Sequence, residues 1–169
     1  MVDVVTFGES MARLTSAGTR PLRFASQLAL GVAVAESNVA IGLARLGRTV
    51  QWTGRVGDDE FGRLVTSALR GEGVVTRALV DDGAPTGLLV KARRSATTTD
   101  INYYRAGSAG SRLTPDDLDL DAIGSAGVLH LTGITAAISE SARATCFAAV
   151  AAAEAAGVPV SLDVNMRRR

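Results

Sequence analysis

Apolar residues near the start of the chain recur at two different spacings, which predict a strand followed by a helix. Residues 2–7, which are mostly apolar, predict a buried strand. Val39, Leu43 and Leu46 then recur at helical spacing, and Gly47 is placed to end that helix. A strand predicted over residues 49–55 and a further helix follow at once, and helix, strand and helix so tightly joined are typical of a layered α/β domain.

The same alternation of strands and helices continues to the end of the chain. Residues 49–55, 74–80, 127–131 and 158–162 predict further strands, and residues 60–69 predict a helix capped by Asp58 or Asp59. Ser139 is placed to cap a long helix through Ala156, whose predicted buried face carries Cys146, Phe147 and Val150. We therefore predict an α/β fold with a mainly parallel sheet and helices on both faces.

Four shorter runs of mixed apolar and polar residues fit this sheet less well. They predict strands of a second, smaller sheet, and they lie at Met11–Leu14, Arg23–Leu30, Thr86–Ala92 and Asp100–Arg105. The last two runs are joined by a polar stretch, as in a hairpin. The second sheet is thus expected from two segments, about residues 11–30 and 86–105.

Several candidate residues follow predicted strands closely. In an open parallel sheet, ligands gather beyond the carboxyl ends of the strands, where Glu9, Ile134 and Asn165 are predicted to lie. The alternative for Glu9 is a solvated loop residue. Ile134 and Asn165 enter our candidate site on the same positional argument.

The stretch around Tyr103 and Arg105 combines an aromatic ring with a guanidinium group. On a strand both side chains point to one face, and Tyr104 points to the other. Arginine can grip a carboxylate with two parallel hydrogen bonds, so the pair suits a small anion. From spacing alone, an exposed strand with one amphipathic face remains the alternative.

Composition narrows the classes of function. The 169 residues are 47% hydrophobic, which is enough for one well-buried domain, and the net charge of +1 implies neither nucleic acid nor a membrane as a partner. Cys146 is the only cysteine, so we expect a cytoplasmic protein without an intrachain disulfide. His130 is the only histidine and is expected as a core residue, and no metal site is predicted.

Two motifs resemble the first signature of the ribokinase-like carbohydrate kinases, also called the PfkB family. They are AESNVAIGLARLG and GRVGDDEFG, and they cover residues 35–47 and 54–62. The family's Gly-Gly dipeptide is replaced here by Ala33 and Val34, side chains that would narrow a sugar pocket. A shift of the loop, with Gly31 taking over part of the turn, is the alternative.

Three further segments resemble the 2-keto-3-deoxygluconate kinases, a branch of this family: GESMARLTS, YYRAGSAGSRL and DVNMRRR. The resemblance implies that the second sheet is a lid over the sugar. It also implies substrate-binding roles for Asn38 towards hydroxyl groups, for Tyr103 and Arg105 towards the acid group, and for Arg167 towards carboxylate or phosphate. With Glu9, Ala33, Val34, Ile134 and Asn165 these residues complete the candidate site.

The resemblance covers essentially the whole chain but only the amino-terminal half of the family. No GAGD sequence occurs in the 169 residues, although family members use this loop for the catalytic base and the transferring phosphate. For the full-length family, ATP and Mg²⁺ are implied. For this chain alone we expect no catalytic residue, no productive cofactor binding and no phosphoryl transfer.

The expected function is therefore the sugar-binding half of an ATP-dependent 2-keto-3-deoxygluconate kinase. The alternatives are a kinase fragment for a neutral sugar such as fructose or ribose, and a non-catalytic sugar-binding or interaction module. The expected partners are a sugar acid, a missing carboxyl-terminal half, and a second copy of the chain bound through the lid or an open sheet edge.

Overall fold

The computed structural model describes residues 2–19, 21–33, 35–95 and 98–166. Its nine strands within these ranges are β1 Val4–Phe7, β2 Met11–Ser16, β3 Leu28–Ala33, β4 Val50–Gly57, β5 Val75–Asp81, β6 Leu88–Arg93, β7 Thr99–Tyr104, β8 Val128–Thr132 and β9 Val160–Asp163. The α-helices of the same ranges are α1 Ala35–Arg45, α2 Glu60–Gly71, α3 Leu120–Gly124, α4 Gly133–Ile138 and α5 Glu140–Ala155.

Five strands form the main sheet, in the order β5-β4-β1-β8-β9, and every neighbouring pair is parallel. Alternate residues of β1 point to opposite faces: Val5 and Phe7 enter one apolar core, and Val4 packs against the other. The first core includes residues of α5, and the second includes residues of α1 and α2. The predicted α/β fold with a mainly parallel sheet and helices on both faces is confirmed.

The second sheet contains four strands in the order β3-β2-β6-β7. Its central pair, β2 and β6, is parallel, and the two outer pairs are antiparallel. Three of its strands lie close to their predicted positions. The prediction for Arg23–Leu30 is wrong in its bounds, because a 3-10 helix occupies Leu22–Phe24 and β3 runs from Leu28 to Ala33.

The predicted helix caps are formed as expected. Asp59 accepts a hydrogen bond from the Gly62 N–H group at 2.7 Å at the start of α2. Ser139 Oγ accepts one from the Ala142 N–H group at 3.0 Å at the start of α5. Both bonds satisfy donors that the first helical turn leaves without a partner.

Two expectations are wrong. Phe147 does not belong to the buried face of α5, since 70% of it is exposed, whereas Cys146 is buried. Gly31 takes no part in a turn, because it lies inside β3, opposite Arg13 of β2.

Two short helices were not predicted: α3, and α4 directly after β8. His130 is a core residue as expected: it is buried, and its Nδ1 lies 3.1 Å from Ser161 Oγ. In the part of the chain that the structure describes, no helix is long and apolar enough to cross a membrane.

Candidate functional site

A cavity of about 390 Å³ lies where the second sheet meets the carboxyl end of the main sheet. Its floor includes the start of α1, Ile134 of α4 and the end of β9. Its wall is one face of the second sheet, made by odd-numbered residues: Met11, Arg13, Ala33, Leu89, Lys91, Ile101 and Tyr103. This placement beyond the strand ends is where open α/β sheets bind ligands.

Six of the nine predicted site residues line this cavity: Ala33, Asn38, Tyr103, Arg105, Ile134 and Asn165. Glu9 does not line it and lies fully buried behind Arg105. Val34 and Arg167 lie outside the described residues. The structure thus brings most of the candidates together around one space, although they come from five separate segments of the chain.

Arg105 enters the cavity with its charge already partly compensated. Its Nη2 atom forms an ion pair with Oε2 of Glu9, whose side chain is completely buried. Ser108 Oγ donates a second hydrogen bond to Glu9 Oε1. On its other side, the Arg105 guanidinium carbon lies 5.8 Å from the centre of the Tyr103 ring, within the range of a cation–π contact. Arg105 is therefore held between a carboxylate and an aromatic ring.

Glu36 is a second buried carboxyl group, and sequence reasoning missed it. Its Oε1 accepts hydrogen bonds from Thr132 Oγ1 at 2.5 Å and from Thr135 Oγ1. Burial away from water raises the pKa of Glu36, and the two threonine hydroxyl groups oppose this only in part. Glu36 therefore ties the start of α1, which carries Asn38, to the β8–α4 junction, which carries Ile134.

Gly8 makes room for this carboxyl group at the end of β1. A Cβ atom there would lie 2.8 Å from Glu36 Oε1 and 2.5 Å from Thr135 Oγ1. Its φ of +154° is also one that residues with a side chain rarely adopt. The lack of a side chain at Gly8 is thus needed for the Glu36 contacts.

At the far side of the cavity Asp163 orders Asn165. Asp163 Oδ1 accepts from the Asn165 backbone N–H group, and Oδ2 accepts from its Nδ2 atom, both at 2.8 Å. Asn165 has a φ of +44°, and asparagine tolerates this left-handed conformation better than most residues do. The turn after β9 therefore holds the Asn165 amide beside the cavity.

Two cations of the cavity wall were not predicted as site residues. They are Arg13 of β2 and Lys91 of β6. Strand alternation placed Tyr103 and Arg105 on one face of their strand. The same alternation predicts which face of its own strand Arg13 occupies, and likewise for Lys91. What the sequence could not supply was the order of the strands, which brings these faces together.

A wider cleft of about 1050 Å³ adjoins the cavity and shares Tyr103, Arg105, Ile134 and Asn165 with it. It continues along α4 to Val164 and Met166. Among the described residues, no group of three or more His, Cys, Asp or Glu side chains is placed to hold a metal ion. The residues around the cavity therefore do not by themselves fit a site for Mg²⁺.

A parallel sheet with a polar, cation-lined cavity beyond its strand ends is the architecture in which α/β proteins bind small molecules. The sequence model of the pfkB family of carbohydrate kinases matches residues 1–168, so the chain belongs to this family. The resemblance inferred from the two motifs is thereby confirmed.

Two curated relatives are both named 2-dehydro-3-deoxygluconokinase. The protein of Thermoproteus tenax is 42% identical over 85% of this chain and 45% of its own length. The protein of Bacillus subtilis is 39% identical over 98% of this chain and 52% of its own length. The chain thus spans about half the length of these relatives.

A solved structure, the PfkB protein from Polaromonas sp. JS666, has the same fold. It superimposes with a TM-score of 0.93 at 37% identity, over 99% of this chain and 57% of that one. The described strands and helices therefore correspond to about half of a pfkB-family kinase.

Proposed function

We propose that the chain forms the sugar-binding part of a kinase that transfers a phosphoryl group from ATP to 2-keto-3-deoxygluconate, also called 2-dehydro-3-deoxygluconate. One observation carries the proposal: three cations, Arg13, Lys91 and Arg105, line the cavity, and Asp163 is the only acidic group among its described lining residues. A neutral sugar requires no such excess of positive charge. The names of the curated relatives support the same substrate.

The residues of this chain would bind and orient the sugar acid. The Asn38 side-chain amide can both donate to and accept from hydroxyl groups, and Tyr103 and Arg105 offer a flat wall with N–H donors. Ile134 and Ala33 add apolar surface on either side. Such positioning is a main contribution to phosphoryl transfer, which depends on alignment and on stabilising charge.

Other parts of the reaction need groups that this sequence does not contain. The GAGD loop of the family does not occur in the 169 residues, and Mg²⁺ has no fitting site among the described side chains. In a full-length kinase, Mg²⁺ would neutralise charge on the phosphates of ATP. We expect the 169-residue chain alone to transfer no phosphate from ATP to any sugar.

A coupled assay of the purified chain with ATP, Mg²⁺ and 2-keto-3-deoxygluconate tests this expectation. The expected result is no turnover above a blank without protein, and measurable turnover would contradict it. Calorimetry with 2-keto-3-deoxygluconate, fructose and ribose tests the substrate class. The acid is expected to bind at least about tenfold more tightly, since a charge-assisted hydrogen bond contributes about 1.5–3 kcal/mol.

The kinase part of the proposal is tested by the gene. A coding sequence that continues in frame beyond Arg169 and encodes a GAGD motif would support it.

We place the protein in the cytoplasm, because its single cysteine, Cys146, is free and buried.

A further inference from the structure

The three cations of the cavity lie on one face of the second sheet because of its strand register. Arg13 of β2 is the partner of Leu89 in β6, and Lys91 lies two residues further along β6 on the same face. Leu89 in turn is the partner of Tyr103, and Arg105 lies two residues beyond that tyrosine. The sheet thus directs two positive charges from β2 and β6, and the charge of Arg105 from just beyond the end of β7, towards one space.

These cations differ in whether another group of the protein neutralises them. Arg105 has the buried carboxylate of Glu9 as its partner. In the part of the chain that the structure describes, no carboxylate lies within ion-pair distance of Arg13 or Lys91. Among the described residues, the buried Nε atoms of Arg13 and Arg105 both lack a hydrogen-bond partner, so the ion pair with Glu9 is what distinguishes Arg105. Since a buried donor without a partner costs free energy, a ligand that accepts from Arg13 would remove that cost.

Gly31 allows Arg13 to take this position. It is the register partner of Arg13 on β3, and a Cβ atom there would lie 2.9 Å from Nη2 of Arg13. The guanidinium group therefore lies across β3 in space that a larger residue would occupy. Gly31 is thus a second place at which the position of Arg13 can be changed without removing its charge.

We infer that Arg13 and Lys91 form the anion-recognising pair of the cavity and select for the carboxylate of the sugar acid. Arg105, already paired with Glu9, instead donates to uncharged oxygen atoms of the ligand. This inference rests on the proposed function. It assigns the charge preference to two lid residues that come from different strands and from distant parts of the sequence.

Binding of D-gluconate and D-glucitol to the full 169-residue chain tests the inference. The two compounds differ only in having a carboxylate or a hydroxymethyl group at one end. Calorimetry would compare the unmodified chain with Arg13→Met and Lys91→Met, which keep an apolar stem but remove the charge. Arg70→Met is the matched control, because Arg70 is exposed on α2 and does not line the cavity. Thermal melting would confirm that each variant is folded.

We expect the unmodified chain to prefer gluconate by about tenfold or more, and each lid variant to lose most of this preference while its affinity for glucitol is kept. Arg70→Met should change neither affinity. Gly31→Ala should weaken gluconate binding as Arg13→Met does, because it displaces the guanidinium group. Arg13→Lys should restore part of the preference.

Three results would overturn the inference, and they separate it from the proposed function. If both lid variants keep the preference and Arg105→Met abolishes it, the cavity selects acids through Arg105, and the proposed function stands. If the unmodified chain binds gluconate and glucitol equally, the acid preference itself is wrong. If the unmodified chain shows no saturable binding of 2-keto-3-deoxygluconate, gluconate or glucitol, both proposals fail.

Discussion

Two carboxyl groups lie buried beneath the cavity, and the protein stabilises them differently. Glu9 is held by the charge of Arg105 and the hydroxyl group of Ser108. Glu36 instead accepts hydrogen bonds from two threonine hydroxyl groups. Replacing an ion-paired glutamate by glutamine and replacing a hydrogen-bonded one should therefore affect stability differently, so each leads to its own prediction.

Glu9→Gln should destabilise the protein and increase its affinity for anions. The substitution leaves the partly buried guanidinium of Arg105 without its counter-ion, at a cost of about 3 kcal/mol in the free energy of unfolding. The freed charge then becomes available to a ligand, so gluconate should bind more tightly relative to glucitol. Urea denaturation and calorimetry would measure the two effects.

Glu72→Gln is the matched control for that substitution. Glu72 also pairs with an arginine, Arg45, but the pair lies on the surface. Exposed pairs contribute little to stability, so Glu72→Gln should cause a much smaller change and no change in ligand preference. Equal losses from the two substitutions would contradict the role given to Glu9.

Glu36→Gln should become more stabilising as the pH rises. Because the pKa of Glu36 is raised in the folded protein, its protonated form contributes stability that is fully present below about pH 4.5 and is lost as the pH rises through the raised value. Glutamine still accepts from Thr132 and Thr135 but does not titrate. The difference between the variant and the unmodified chain should therefore grow from pH 4 upwards, by ~1.4 kcal/mol for each unit of pKa difference.

Urea denaturation at a series of pH values would measure this trend. Glu154→Gln, which changes an exposed residue of α5, should show none. A difference between Glu36→Gln and the unmodified chain that stays constant from pH 4 to pH 8 would refute the raised pKa of Glu36.

At the scale of the secondary-structure elements, Asp59 joins α2 to the second sheet. One carboxylate oxygen accepts from Gly62 N–H at the start of α2, and the other accepts from Thr86 N–H at 2.8 Å, just before β6. Burial acts to raise the pKa of Asp59, but the hydrogen bonds that it accepts, first among them those from these two N–H groups, hold the pKa below its ordinary value. The ionised side chain therefore stabilises both a helix start and the position of a lid strand.

Asp59→Ala should lower the free energy of unfolding by about 1–2 kcal/mol at neutral pH. Since the folded pKa is lowered, this contribution is present above the ordinary pKa and is lost as the pH falls through the folded value. The difference from the unmodified chain should therefore shrink under strongly acidic conditions. Asp58→Ala is the control, because Asp58 is exposed and pairs with Arg63 at the surface. A loss as large for Asp58→Ala would disprove the capping role.

At the scale of the whole molecule, β9 forms one edge of the main sheet and carries a row of exposed apolar side chains. Val160, Leu162 and Val164 are 39%, 62% and 59% exposed, and Met166 is 86% exposed. An open strand edge with unpaired backbone groups beside apolar side chains tends to find a partner strand. The 169-residue chain is therefore expected to self-associate through β9.

Light scattering over a concentration series would measure this association. Leu162→Lys should shift the chain towards the monomer, because a charge at an edge strand opposes pairing. Leu46→Lys introduces the same charge at an exposed apolar residue remote from β9 and should leave the association unchanged. A monomeric mass at every concentration of the unmodified chain would rule out self-association.

The sequence by itself determined the features that depend on residues close together in the chain. The helix after Ala33, the strand around Trp52 and the caps at Asp59 and Ser139 follow from periodicity and from side chains that bond to backbone groups three residues away. Strand alternation also placed Tyr103 and Arg105 on one face. For α5, the burial of Phe147 was predicted wrongly because an alanine-rich helix has little apolar asymmetry to show which face packs.

Only the tertiary structure decided which distant groups share one environment. Glu9 meets Ser108 across 99 positions of the chain, and Glu36 meets Thr132 across 96. The presence of Arg13 and Lys91 in the cavity wall depends on β2 and β6 being neighbours, which no local pattern specifies. The charge of a side chain can be read from its letter, but whether that charge is paired, buried or available to a ligand depends on residues that approach it only in the folded chain.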